Sequence, residues 1–174
     1  MHRLPPQYYL GRQFVLWTLC VQDRQTGWLD ASLHLQWREL WLHAAWRYHV
    51  AVVAYCLMPD HSHFLVGGLD ERADQIRAIR FFRKESNATL RGLGFCWQTQ
   101  PHDHVLRARK SRDMCRSTAH YIFENPVRKG LVSQATEWPY AGSILPGYPN
   151  PPDSLAQAWS LFHRSSSWLQ DGTH

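Results

Sequence analysis

His61 and His63 stand one residue apart in an apolar stretch that reads as a β-strand. A strand's period of two puts both imidazoles on one sheet face, with Ser62 and Phe64 on the other. Side by side, the rings can chelate one divalent cation, or they can be two polar residues on a solvated face; spacing alone allows both. His102 and His104 repeat the pattern around Asp103, which shows how little an isolated pair specifies. Tyr121 and Asn125 form the second constellation. In the helix expected from Ser111 to Glu124, Cys115, Ala119 and Ile122 mark the apolar centre. At about 100° per residue, Tyr121 lies roughly 140° from that centre and Asn125 about 40° from Tyr121. The two therefore share a flank at i, i+4 spacing. A phenol beside a coordinating carboxamide suits a nucleophile, and a half-exposed structural tyrosine fits the same pattern. Arg112, Arg116, Arg128 and Lys129 flank it, which would serve a phosphodiester target.

The elements that must position these groups are legible from periodicity. Gln13–Val21 is rich in β-branched and aromatic residues and reads as a first strand. Ser32 can cap a helix through Tyr48, with Leu33, Trp37, Leu40, Trp41, Ala44 and Tyr48 as its core stripe. Val50–Met58 is a nearly unbroken apolar run suited to a central strand; Pro59-Asp60 is a turn, and His61–Val66 resumes as the return strand of a tight hairpin. A long helix from Ala73 to Leu93 follows, apolar on one side and carrying Arg77, Arg80, Arg83, Lys84 and Arg91 on the other. A short strand around His104–Arg107 and the helix Ser111–Glu124, stopped by Pro126, complete the series. The order β-α-β-β-α-β-α predicts an α+β fold: a ferredoxin-like βαββαβ sandwich, the architecture of RNA-recognition domains, with an added helix. Five prolines lie between Pro139 and Pro152, followed by a short amphipathic segment near Leu155–Phe162. The division this suggests is a main domain over 1–135 and a separate Pro-rich tail with a short helix over 136–174.

Composition narrows the function classes. The 174 residues are 44% hydrophobic and 19% charged, enough for one compact domain and unlike disordered or fibrous chains. The longest apolar run is too short for a bilayer, so no membrane partner is expected. The start lacks a secretory layout, which leaves the cytoplasm as the expected compartment. Cys20, Cys56, Cys96 and Cys115 are scattered, without a CxxC pair, and read as small core residues. The net charge of +5 is unevenly spread: Arg72–Lys129 holds thirteen Lys/Arg against five Asp/Glu, while the rest of the chain is net acidic. One basic region on an otherwise acidic chain is a nucleic-acid footprint or a solvated helical face.

Two longer motifs decide between these readings. MPDHSHFLV (Met58–Val66), followed by YIFENPVRKGLV (Tyr121–Val132), resembles the HUH single-tyrosine transposases, and within them the REP-associated tyrosine transposases. AYCLMPDHSHFLV at the hairpin, Gln22-Asp23-Arg24 after the first strand, Trp97-Gln98, and DHVLR at Asp103–Arg107 match as well, so the resemblance spans Tyr8–Trp138. It implies that His61 and His63 hold a metal, that Tyr121 is the nucleophile, and that Asn125 is a further polar ligand one turn on. Two positions depart from the pattern: the bulky apolar residue between the histidines is Ser62, and Asn125 stands where some relatives carry glutamine or a carboxylate. Ser62 faces away from the metal, so a small packing loss is expected there.

The implied activity is metal-dependent nicking and joining of single-stranded DNA at REP-like palindromic hairpins, with a tetranucleotide beside the hairpin foot. Mg²⁺, which keeps its waters, or Mn²⁺, which suits imidazole, is the expected cofactor. Attack by Tyr121 would leave a 5′-phosphotyrosyl enzyme and a free 3′-hydroxyl, conserving the bond for later joining. Arg77, Arg80, Lys84, Arg107, Arg109, Lys110 and Arg112 are the candidate phosphate contacts. The expected setting is a bacterial, nucleoid-associated protein acting as a monomer or homodimer. Two other readings use the same residues: a non-catalytic single-stranded nucleic-acid module on this fold, and a metal-dependent hydrolase in which Tyr121 is structural.

Overall fold

A computed structural model of the chain describes residues 4–106, 111–148 and 157–164. Five strands, β1 (Phe14–Cys20), β2 (Val50–Met58), β3 (His61–Gly68), β4 (His102–Leu106) and β5 (Ala141–Ile144), form one antiparallel sheet in the order β4-β1-β3-β2-β5. The first four strands have the ferredoxin-like arrangement predicted above. Between them run α1 (Ala31–Tyr48) and α2 (Gln75–Gly92), and after β4 comes α3 (Ser111–Arg128).

The two helices of the sandwich pack on one sheet face. Trp37, Trp41 and Ala44 of α1 meet Ile79 and Phe82 of α2 over Trp17 and Phe64 of the sheet. Trp41 sits between Phe82 and Phe64, with ring centroids 4.7 and 5.1 Å away, so the tryptophan stripe is core as expected. Asp30, not Ser32, caps α1: its carboxylate accepts from the Leu33 N–H at 2.8 Å. Asp74 caps α2 in the same way, at 2.9 Å from the Arg77 N–H. Each cap contributes about 1 kcal/mol.

The opposite face is covered too. Cys115, Ala119 and Ile122 of α3 pack on Cys56 and Leu65, joined by Trp159 and Phe162 from helical residues 157–164. Every residue of β2 is buried, as its apolar run requires. The region after residue 136 is therefore not a separate appendage in its described parts. Residues 141–144 extend the sheet beside β2, and residues 157–164 close its second layer. Gly67 records that closure: a Cβ there would come within 2.9 Å of the Phe162 ring.

Pro126 does not end α3 at Glu124. Proline leaves the Ile122 carbonyl without its usual donor, and the Asn125 side chain supplies one, Nδ2 reaching Ile122 O at 3.3 Å and Tyr121 O at 3.0 Å. The helix then closes in a Schellman motif: Gly130, at φ 67°, donates to Val127 O, and Leu131 donates to Pro126 O. β4 begins at His102, earlier than expected, and Arg107 lies outside the described residues.

Candidate active site

The hairpin between β2 and β3 puts His61 and His63 on the face covered by α3. Across β1, His61 pairs with Cys20 and His63 with Thr18; across β2, they pair with Met58 and Cys56. Ser62 points the other way, fully buried against the α1/α2 core, its hydroxyl unpartnered among the described residues. The two rings stand nearly perpendicular, and their Nε2 atoms are 3.1 Å apart.

The outer nitrogen of each ring is tied down. His61 Nδ1 lies 2.5 Å from Asp60 Oδ1, and His63 Nδ1 lies 3.0 Å from Thr18 Oγ1. Arg24 Nη1 donates to the other Asp60 oxygen at 2.9 Å. Burial holds both histidines below their ordinary pKa; for His63, with added repulsion from His61 and Arg24, the value falls to about 4. The rings are therefore neutral near pH 7, and neutral imidazole is the form that offers a lone pair. A donor to a carboxylate at Nδ1 fixes the lone pair of His61 on Nε2, as in carboxylate–histidine–metal arrangements.

α3 carries the remaining groups to the same place. The Tyr121 ring is 6.3 Å from that of His63 and 41% exposed. Arg128, two turns on, lays its guanidinium 4.8 Å from the centre of the Tyr121 ring. Asn125 is buried; its Nδ2 is spent on backbone carbonyls, and its Oδ1 has no partner among the described residues. Together with Thr18, Arg24, Met58, Pro59, Asp60, Lys129 and Leu131, these side chains line one cleft of about 510 Å³.

The donor set fits a small divalent cation. Two neutral Nε2 atoms 3.1 Å apart need a shared proton or a shared cation between them, and ligands at adjacent octahedral positions, each about 2.1 Å from the ion, stand ~3 Å apart. Among the described residues no three His, Cys, Asp or Glu side chains form a ligand cluster. Two imidazoles and an amide oxygen leave room for the waters that Mg²⁺ retains.

Not every expected residue lies here. Arg77, Arg80 and Lys84 are exposed on α2, across the sheet from the cleft. Arg77 stacks on Tyr48 at 5.6 Å, and Lys84 pairs with Glu85 at 3.5 Å. Arg107, Arg109 and Lys110 lie outside the described residues; Arg112 is in the first turn of α3, its side chain likewise outside them. His102 and His104 are exposed on β4, and His102 stands in register with Thr18, one strand beyond His63. Sequence reasoning passed over Asp60 as a turn residue and gave Thr18 no role. The carboxylate directly before His61 was the available signal for the first; Thr18 is found only once strand register is known.

Two curated relatives match this chain. One, from Haemophilus influenzae, is assigned as a REP-associated tyrosine transposase and is 27% identical over 139 residues, covering 71% of this chain and 76% of the relative. The other, the REP-associated tyrosine transposase of Escherichia coli K12, is 31% identical over 91 residues, about half of each chain. The chain is thus similar to REP-associated tyrosine transposases over between half and about seven-tenths of its length. A solved REP-associated tyrosine transposase, bound to a REP hairpin, superposes with a TM-score of 0.66 at 23% identity over 81% of this chain and 82% of its own. REP-associated tyrosine transposases thus share this fold. No protein-family model matches the chain. No helix of the described residues is long and apolar enough to cross a membrane.

Proposed function

We propose that the chain nicks and rejoins single-stranded DNA at REP-like hairpins through a 5′-phosphotyrosine at Tyr121, as in transposition or the processing of REP elements. One observation carries this reading: a phenol from α3 and two neutral imidazoles from β3, sixty residues apart in the chain, line a single cleft. Kinship with REP-associated tyrosine transposases and a shared fold with one bound to a REP hairpin support the substrate class.

Tyr121 Oη attacks the phosphorus, a P–O bond to the tyrosine forms, and the bond to the 3′-oxygen breaks. The phenolic proton leaves through solvent, and the departing 3′-oxygen takes one up, so the exchange is balanced and reversible. His61, His63 and Asn125 Oδ1 would hold a Mg²⁺ or Mn²⁺ ion, which offsets phosphate charge when bound. Asp60 and Thr18 keep the two rings in place. Arg128, stacked on the phenol ring, orients it and keeps a positive charge over that ring.

The test is a labelled REP-like hairpin with a single-stranded foot, incubated with the protein and Mn²⁺. A protein–DNA adduct that survives denaturation is expected. Tyr121→Phe should abolish it, and His63→Ala should lower it at least ~100-fold. Free 5′-phosphate ends without an adduct would favour the hydrolase reading, and binding without scission the non-catalytic one.

A further inference from the structure

The turn after β1 holds two consecutive non-glycine residues, Asp23 and Arg24, in the left-handed region at φ 55°. Each costs on the order of 1 kcal/mol, and such strain persists only where surrounding contacts impose it. Three main-chain bonds do so. Val21 N–H donates to Asp60 O at 3.0 Å, Gln22 N–H to Cys96 O at 2.8 Å, and Arg24 N–H to Val21 O at 3.0 Å. The turn is thus fastened both to the β2–β3 hairpin and to the segment before β4. What this arrangement fixes is the place of one side chain. Arg24 lines the cleft with His61, His63 and Tyr121, is 54% exposed, and gives Nη1 to Asp60.

A guanidinium is a planar fork of five donors that matches phosphate oxygens in pairs. Asp60 engages one nitrogen of Arg24 and holds the group at the cleft wall; among the described residues its other side-chain donors have no partner, which leaves them for a ligand. We infer that Arg24 binds a non-bridging oxygen of the DNA phosphodiester presented to Tyr121, anchored for that task by Asp60 and by the strained turn. The inference rests on the nicking reading above and names the residue that grips the phosphate. Donors already in position cost no reorganisation as charge shifts onto these oxygens during transfer.

The experiment replaces phosphates of the single-stranded foot, one linkage at a time, by neutral methylphosphonate. Binding is followed by fluorescence anisotropy with Mn²⁺ in the full-length Tyr121→Phe protein, which cannot cleave. At one linkage the replacement should weaken binding by about tenfold or more while Arg24 is present. In Arg24→Ala the same replacement should matter less than about twofold, with Arg24→Lys between, because a lysine keeps charge without the fork. If Arg24→Ala loses its near-UV circular dichroism, Arg24→Gln takes its place. Equal discrimination with and without Arg24, or none at any linkage, overturns the inference. Arg24-dependent discrimination without any adduct from the wild-type protein leaves the phosphate site standing and rejects the nicking chemistry. An adduct without Arg24 dependence does the reverse.

Discussion

His61 and His63 look equivalent in the motif, yet the structure holds them by different means. A carboxylate fixes the first and a hydroxyl the second. A charged partner makes the opposite ring nitrogen a better donor, and such outer contacts commonly contribute 10–100-fold to metal affinity. Asp60→Asn should therefore weaken Mn²⁺ binding by about 10- to 100-fold, read by calorimetry on the DNA-free protein, with circular dichroism unchanged. An unaltered affinity would mean that the hairpin alone positions the ring. Asn125 shows a second economy at this scale. One end of its amide repairs the helix that Pro126 interrupts, and the other faces the cleft, so a single residue type answers both needs.

At the scale of elements, the C-terminal end of α3 matters most. The Gly130 turn sends Lys129 and Leu131 back along the cleft that Tyr121 and Asn125 line. Gly130→Ala forces a Cβ into the left-handed region and should lower stability by about 1–2 kcal/mol, seen as a lower denaturation midpoint. If the midpoint does not move, the turn is not what ends the helix. The same element shows what the sequence could reveal. Its buried stripe, Cys115–Ala119–Ile122, and the flank position of Tyr121 follow from helical period alone and agree with the structure. Its length does not, because a proline reads as a stop until its neighbour's side chain is seen to replace the missing donor. The alternation His61–Ser62–His63 was equally plain, since a strand has only two faces. Which helix would cover each face, and hence that Arg77, Arg80 and Lys84 lie across the sheet from the histidines, depends on long-range packing that local period does not encode.

At the scale of the whole molecule, burial holds three of the described histidines below their ordinary pKa. His34, against Tyr55 and Arg38, is pushed down to about 4, as is His63, and His61 is lowered as well. The unfolded chain takes up these protons near pH 6.5, whereas the folded one resists until the folded values are reached. Stability is then fully present above pH 6.5 and drains away as the pH falls toward 4. For His63, 8% exposed, the loss is up to about 1.4 kcal/mol per pH unit within that window. Urea midpoints measured from pH 7.5 to 4.5 should fall, and more shallowly in His34→Gln; a flat profile would refute the assignment. The tail was the least legible part, because prolines separate two short apolar segments whose partners, β2 and Gly67, lie some ninety residues earlier. That distance has a consequence for biogenesis. Trp159 and Phe162 are synthesised long after Phe14, whose ring they cover, so this part of the apolar face must be sheltered from neighbours by other means until they emerge.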